Sequence, residues 1–152
     1  MTEFDPAAAG AATPAVAAAS APVSAFAALG LHESLVQAVE SAGYTQPTPV
    51  QTTAIPAALS GADLMVSSAT GSGKTAAFLL PSLQRLVRAN VRPAAGSGPR
   101  ILVLTPTREL SMQVTRACDT YGRTLRWLRT ASVVGGVPYG AQLRAVRAPL
   151  DV

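Results

Sequence analysis

Eight consecutive residues, Ser68-Ala69-Thr70-Gly71-Ser72-Gly73-Lys74-Thr75, constrain this chain more than any other stretch. A short apolar run, Asp63 to Ser67, precedes them, and Ala76-Ala77-Phe78-Leu79-Leu80 opens a helical pattern behind them. Strand, glycine-rich loop and helix in that order make a phosphate-binding loop. Successive backbone N–H groups of such a loop form a nest for anionic oxygens, and the following helix adds its positive end. Gly71 and Gly73 permit a path that a Cβ would obstruct. Lys74 is expected to reach terminal phosphates, and the Thr75 hydroxyl to meet Mg²⁺. Lys74 is also the only lysine among 12 basic residues, the others being arginine. A compact ammonium and a planar guanidinium are not equivalent at a phosphate. The strict pattern opens on glycine, where this chain has Ser68; the plain alternative is a Gly/Ser turn before an ordinary helix.

Composition bounds the rest. The 152 residues suit one domain, and 49% hydrophobic content can supply a core. After Asp5, twelve basic residues face six acidic ones, a moderate excess that suits a polyanionic partner or simply a solvated surface. The lone cysteine, Cys118, excludes a disulfide framework and a cysteine metal cluster. It falls on the apolar face of an expected helix, as a buried thiol would. Glu3 and Asp5 do not suit a secretory signal, and no apolar run is long enough to span a bilayer, so the expected location is cytoplasmic with no membrane partner.

Residues 1–25 are Ala-rich and broken by Pro6, Pro14 and Pro22, a composition expected to stay disordered. The folded part is expected over 26–152. Leu31, Leu35, Val36 and Val39 recur at helical spacing up to Gly43. Thr48-Pro49-Val50-Gln51 reads as a capping box that starts a helix towards Leu59, with a kink at Pro56 and a stop at Gly61. Another helix runs from Lys74 past Pro81, and residues 89–99 form a loop. Ile101 to Leu104 reads as a strand buried on both faces. A helix carrying Leu110, Val114, Ala117, Cys118, Tyr121 and Leu125 follows. Thr130 to Val134 is expected as a further strand, closed by Gly135-Gly136. A short helix then spans Pro138 to Ala148, and Pro149 to Val152 starts another strand. Strands alternating with helices predict an α/β fold, a parallel sheet flanked by helices.

With these residues in hand, residues 26–152 resemble the N-terminal RecA-like domain of DEAD-box ATP-dependent RNA helicases. Gly43-Tyr44-x-x-Pro47-Thr48-Pro49-Val50-Gln51 is similar to the family's Q motif, with Phe26 where the family keeps an upstream aromatic. Residues 69–75 are similar to its phosphate loop, Pro106-Thr107-Arg108-Glu109-Leu110 to motif Ia, and Gly135-Gly136 to its glycine doublet. The resemblance implies ATP and Mg²⁺ as cofactors and RNA as partner, contacted through its backbone without regard to sequence. It implies that Gln51 bonds the adenine edge, Phe26 stacks on the base, and Tyr44 belongs with the nucleotide site. Ala69, Thr70, Gly71, Ser72, Gly73, Lys74 and Thr75 would serve the phosphates, with Lys74 and Thr75 in the catalytic role and Thr75 on the metal. Pro106, Thr107, Arg108, Gly135 and Gly136 would lie on RNA. Each has a plainer reading: Gln51 as no more than the partner in the capping box, Phe26 as a packing residue, Arg108 as a solvated charge, and Gly135-Gly136 as a turn. Arg123, Arg126 and Arg129 read better as a solvated stripe than as an RNA track.

The resemblance also implies parts that these residues lack: the Asp-Glu-Ala-Asp box, the Ser-Ala-Thr and Thr-Pro-Gly-Arg motifs, and a second RecA-like domain. Phosphoryl transfer depends on positioning and charge stabilisation. The expectation is therefore a partial domain, inactive alone, within an ATP-dependent RNA helicase. The rival readings are a non-catalytic nucleotide- and RNA-binding fragment and a small P-loop kinase.

Overall fold

The computed structural model describes residues 24–91, 94 and 97–152; most of the arm expected over 1–25 lies outside them. Five helices follow a 3-10 turn at Ala27–Leu29: α1 Glu33–Ser41, α2 Pro49–Leu59, α3 Lys74–Ala89, α4 Arg108–Tyr121 and α5 Tyr139–Arg147. No helix of the described residues is long and apolar enough to cross a membrane.

Local chemistry accounts for the ends. His32 caps α1, its Nδ1 accepting from the Ser34 N–H at 3.2 Å. Thr48 and Gln51 form both halves of the capping box on α2, with Pro49 at the first helical position. Both helices carry an internal proline, Pro56 in α2 and Pro81 in α3, and both continue through it. Each proline removes one backbone donor, a loss that tertiary packing offsets here, and α2 runs on past Pro56 to Leu59, just short of the left-handed Gly61 where the stop was expected. At the end of α4, the Gly122 N–H donates to the Cys118 carbonyl at 2.8 Å. A Cβ at Gly122 would lie 2.3 Å from Leu128, so only glycine lets the chain turn this close to its own next segment.

The core is built around α3. Its Leu79, Leu80, Leu83 and Leu86 are buried with Leu35, Val36 and Val39 of α1, Ile55 of α2, and Cys118 and Tyr121 of α4. Such spacing lays one apolar stripe on each helix and joins the stripes into a single cluster. The one amide in the middle of that stripe, Gln84, is fully satisfied. Its Oε1 accepts from the His32 N–H at 2.5 Å, and its Nε2 donates to the Gly30 carbonyl at 2.6 Å.

The expected sheet is not formed among the described residues, where no strand ladder occurs. The runs 63–67, 101–104 and 130–134 form no ladder with one another, because strands require a neighbour within hydrogen-bonding distance. Cavities separate them instead. One of about 520 Å³ lies between Leu64–Val66 and Val103–Thr105, and one of about 310 Å³ between 101–105 and 130–133. Nor is the 101–104 run buried on both faces: Leu102 and Leu104 are exposed, while Ile101 packs on the core. Pairing does occur at 149–152. The Asp151 carbonyl accepts from the N–H groups of Arg100 and Ile101, the Asp151 and Val152 N–H groups donate to the Arg129 carbonyl, and the Ala131 N–H donates to the Val152 carbonyl.

The buried Asp151 anchors that junction. Its carboxylate is paired with the Arg100 guanidinium and accepts from the Arg129 N–H at 2.9 Å. Arg100 also stacks over Trp127, 5.6 Å from the ring centroid.

Candidate functional site

The loop before α3 is open to solvent from Ser68 to Gly71 and closes on the helix through Gly73. Gly71 has φ 79° and Gly73 φ 90°, both in the left-handed region that favours glycine. Ser72 and Ala69 close a turn at 3.3 Å. The Lys74 ammonium curls back over it, donating to the Ser68 carbonyl at 2.5 Å and the Ala69 carbonyl at 2.6 Å. Ser68, the departure from the strict pattern, has a partner here: its hydroxyl lies 2.7 Å from that of Ser72 and bridges the loop. Thr75, one residue into α3, lines the larger cavity beside Lys74. Thr70 stays in solvent.

Gln51 ties this loop to α2. It is buried, its Oε1 accepts from the Thr48 N–H at 3.0 Å, and its Nε2 donates to the Gly73 carbonyl at 3.2 Å. The capping-box reading therefore holds, and the same amide also grips the residue that caps α3. The sequence pattern contained the first half; the second needed a contact across 22 residues. Among the described residues, the other two members expected at the nucleotide are elsewhere. Phe26 is 2% exposed inside the core and has no open face for a base in this arrangement. Tyr44 stands against Tyr121 of α4, ring centroids 6.1 Å apart. Burial, and then the neighbouring Tyr44, push the Tyr121 hydroxyl up to about 12.

A second cluster joins two segments far apart in sequence. Thr107 caps α4, its hydroxyl accepting from the Leu110 N–H at 3.3 Å, and Pro106 precedes it in solvent. Arg108 then reaches across to the glycine pair, with Nη1 3.5 Å from the Gly135 carbonyl. Gly136 has φ 78°, and a Cβ there would come within 3.3 Å of the same nitrogen. A guanidinium and an open glycine turn thus share one exposed patch, a suitable surface for phosphate. The larger of the two cavities runs from Lys74 and Thr75 to Thr105 and to Leu110 of α4. Arg123, Arg126 and Arg129 are exposed, as expected of a solvated stripe.

Sequence reasoning missed Gln142. This α5 side chain accepts from the Val134 N–H at 2.7 Å and donates to the carbonyls of Val134 and Val137 at 3.1 and 2.9 Å. A lone amide on a short helix carries no signal of such a reach. Cys118 is buried, and burial, then Asp119, raises its thiol to about 11, which keeps it protonated and inert at neutral pH. No group of three or more His, Cys, Asp or Glu side chains that could hold a metal occurs among the described residues.

The comparisons with known proteins bear on this arrangement as a whole. A family model described as DEAD/DEAH box helicase matches residues 48–152. The DEAD-box ATP-dependent RNA helicase 20 of Arabidopsis thaliana is 38% identical over 133 residues, covering 86% of this chain and 26% of the relative. The ATP-dependent RNA helicase SrmB of Escherichia coli is 48% identical over 118 residues, 77% of this chain and 26% of the relative. The chain thus spans about a quarter of the length of these relatives. Among solved structures, the RNA helicase Prp28 from Chaetomium thermophilum bound to ADP is similar at TM-score 0.69 and 41% identity, covering 79% of this chain and 29% of that one. With the family model matching well over half of its residues, the chain belongs to the DEAD/DEAH box helicase family.

Proposed function

We propose that residues 68–75 bind the phosphates of ATP, that the patch of Thr107, Arg108, Gly135 and Gly136 binds the RNA backbone, and that both serve ATP-dependent RNA unwinding by a longer helicase chain. The observation that carries this reading is the posture of Lys74. Among the described residues its ammonium, at the N-terminus of α3, has only the loop's own Ser68 and Ala69 carbonyls as partners. A cation held by neutral acceptors above an exposed glycine loop is poised for an anion, which would satisfy its charge as carbonyls cannot.

The donor set fits a nucleotide with Mg²⁺. The positive-φ glycines leave backbone N–H groups without a Cβ over them, and Thr75 supplies one hydroxyl oxygen. Mg²⁺ commonly takes few protein ligands and completes its shell with phosphate and water. When bound, ATP supplies the phosphoryl group whose transfer drives the cycle. Lys74 would neutralise phosphate charge and Thr75 would orient the metal. Gln51 would recognise the adenine edge only by giving up one of its present bonds. Phe26 is left out of the nucleotide site, since its burial makes it a packing residue. RNA contact through a guanidinium and open N–H groups would be independent of sequence. A RecA-like parallel sheet, in which 63–67, 101–104 and 130–134 are strands, goes with this reading and is supported by the pairing already present at 149–152. A cytoplasmic location goes with it too.

A second reading applies to the 152 residues taken alone: nucleotide and RNA binding without turnover. The observation favouring it is Asp151, the one carboxylate beyond Asp119, which is buried and committed to Arg100. The test is titration of a fluorescent ATP analogue against the chain and its Lys74→Ala variant. Loss of binding by more than about tenfold is expected for removing a charge-assisted phosphate contact; equal affinity would rule out the loop assignment.

A further inference from the structure

Helix α5 has no fully buried residue, and the Gln142 side chain bonds it to the segment before it. Gln142 accepts from the Val134 N–H and donates to the carbonyls of Val134 and Val137. These two valines flank Gly135 and Gly136. The amide therefore spans the base of the glycine turn, with its acceptor and both donors in use. To Val134 it offers one acceptor and one donor, as the backbone of a paired strand would. The tip of the turn is left exposed, with the Gly135 carbonyl towards Arg108.

We infer that Gln142 is a positioning residue for RNA binding. By clamping Val134 and Val137 it sets the Gly135–Gly136 turn, and with it Arg108, in the geometry that meets a phosphate. The inference rests on the proposed RNA patch. Alternating hydrogen bonds to both ends of a two-glycine turn restrict a segment that would otherwise be among the freest in the chain, because glycine loses the most conformational freedom on ordering. Ordering it beforehand removes that cost from RNA binding. The residue is neutral and lies behind the turn, so it would act through the turn's shape and contribute no charge of its own.

The test uses the whole chain, a labelled single-stranded uridine oligonucleotide, and the variants Gln142→Met, Gln142→Glu and Arg108→Ala. Gln142→Met keeps the length and removes all three bonds, while Gln142→Glu keeps the acceptor and removes both donors. Both should weaken RNA binding by about tenfold, the effect of losing a preorganised turn, and the neutral Gln142→Met should leave the salt slope of affinity unchanged. Arg108→Ala should lower that slope by about one. Amide NMR shifts of Gly135 and Gly136 should move in the Gln142 variants while those of Gly71 and Gly73 and the ATP-analogue affinity stay fixed. Wild-type RNA affinity in both Gln142 variants would overturn the inference alone. Joint loss of RNA and ATP-analogue binding would overturn it in favour of a general role in folding. A wild-type chain with no salt-dependent RNA affinity would overturn the RNA reading itself, and the inference with it.

Discussion

Two glycines in the loop before α3 share a backbone region but differ in what surrounds them, and this separates two sources of stability. Gly71 (φ 79°) has nothing within 4 Å of the place a Cβ would occupy. Gly73 (φ 90°) would put a Cβ 2.3 Å from Gln51 Nε2 and 3.1 Å from Thr48 Oγ1. Gly71→Ala should therefore cost only the left-handed strain, about 1–2 kcal/mol. Gly73→Ala should cost the same strain and also eject the Gln51 amide. That breaks its bonds to the Thr48 N–H and the Gly73 carbonyl, at about 1 kcal/mol each. The sum is about 3–4 kcal/mol. For a chain of this size a kilocalorie shifts Tm by about 3–4 °C. Gly73→Ala should then melt about 10–14 °C below wild type and Gly71→Ala about 3–8 °C below, read by circular dichroism at the helix band. In a Gln51→Ala background the obstruction is gone, so Gly73→Ala should cost only strain. A coupling energy between the two sites below about 0.5 kcal/mol, the limit for independent sites, would refute the contact as the cause.

Other perturbations test other parts. Gln84→Leu should destabilise by about 2 kcal/mol in urea titration, because it removes the bonds of a buried amide to the His32 N–H and the Gly30 carbonyl while keeping the volume, about 1 kcal/mol for each. Asp151→Ala should cost about 3 kcal/mol, leaving the Arg100 guanidinium and the Arg129 N–H without their partner; a change below about 1 kcal/mol would mean that water replaces the carboxylate. Stability should also fall in alkali with a defined window. The unfolded chain releases the Cys118 proton near 9.0 and the Tyr121 proton near 10.0, whereas the folded protein holds them to about 11 and about 12. The unfolded state thus binds fewer protons in that interval, and the contribution, complete below the unfolded values, is lost as pH rises through it. Cys118→Ala should remove the earlier part of the decline in melting temperature between about pH 9 and 11, while a flat wild-type profile would contradict the burial of both groups.

Much of this molecule is legible because its signals are local. The Thr48–Gln51 box, the apolar spacing of α1 and α3, and the glycine loop before Lys74 each depend on residues within a few positions of one another. Apolar runs such as 101–104 are less decisive. The run carries the composition of a buried strand, but its backbone pairs only where another segment comes alongside, and Leu102 and Leu104 remain in solvent. Phe26 shows a related limit: an aromatic at the expected distance from a motif can serve the core as readily as a ligand. Long polar side chains are the least readable. Gln51 reaching Gly73, Gln84 reaching Gly30, and Gln142 spanning the glycine turn are set by tertiary approach. An amide's partner is not encoded by its neighbours, and the same residue type would look alike on a bare surface.

The bond from Lys74 to its own loop has a kinetic consequence. A site whose cation already holds two carbonyls is not an empty vessel that fills at the rate of encounter. If residues 68–75 bind phosphate as proposed, each arriving phosphate would have to displace an internal competitor, one that returns as soon as the phosphate departs. Exchange at such a loop has a first-order step on each side, in which the ammonium swings out before capture and folds back after release. Saturation of the capture rate at high nucleotide concentration would be its signature. On that reading the freed ammonium would be a short-lived state, visited only between the loop-bound and the phosphate-bound positions.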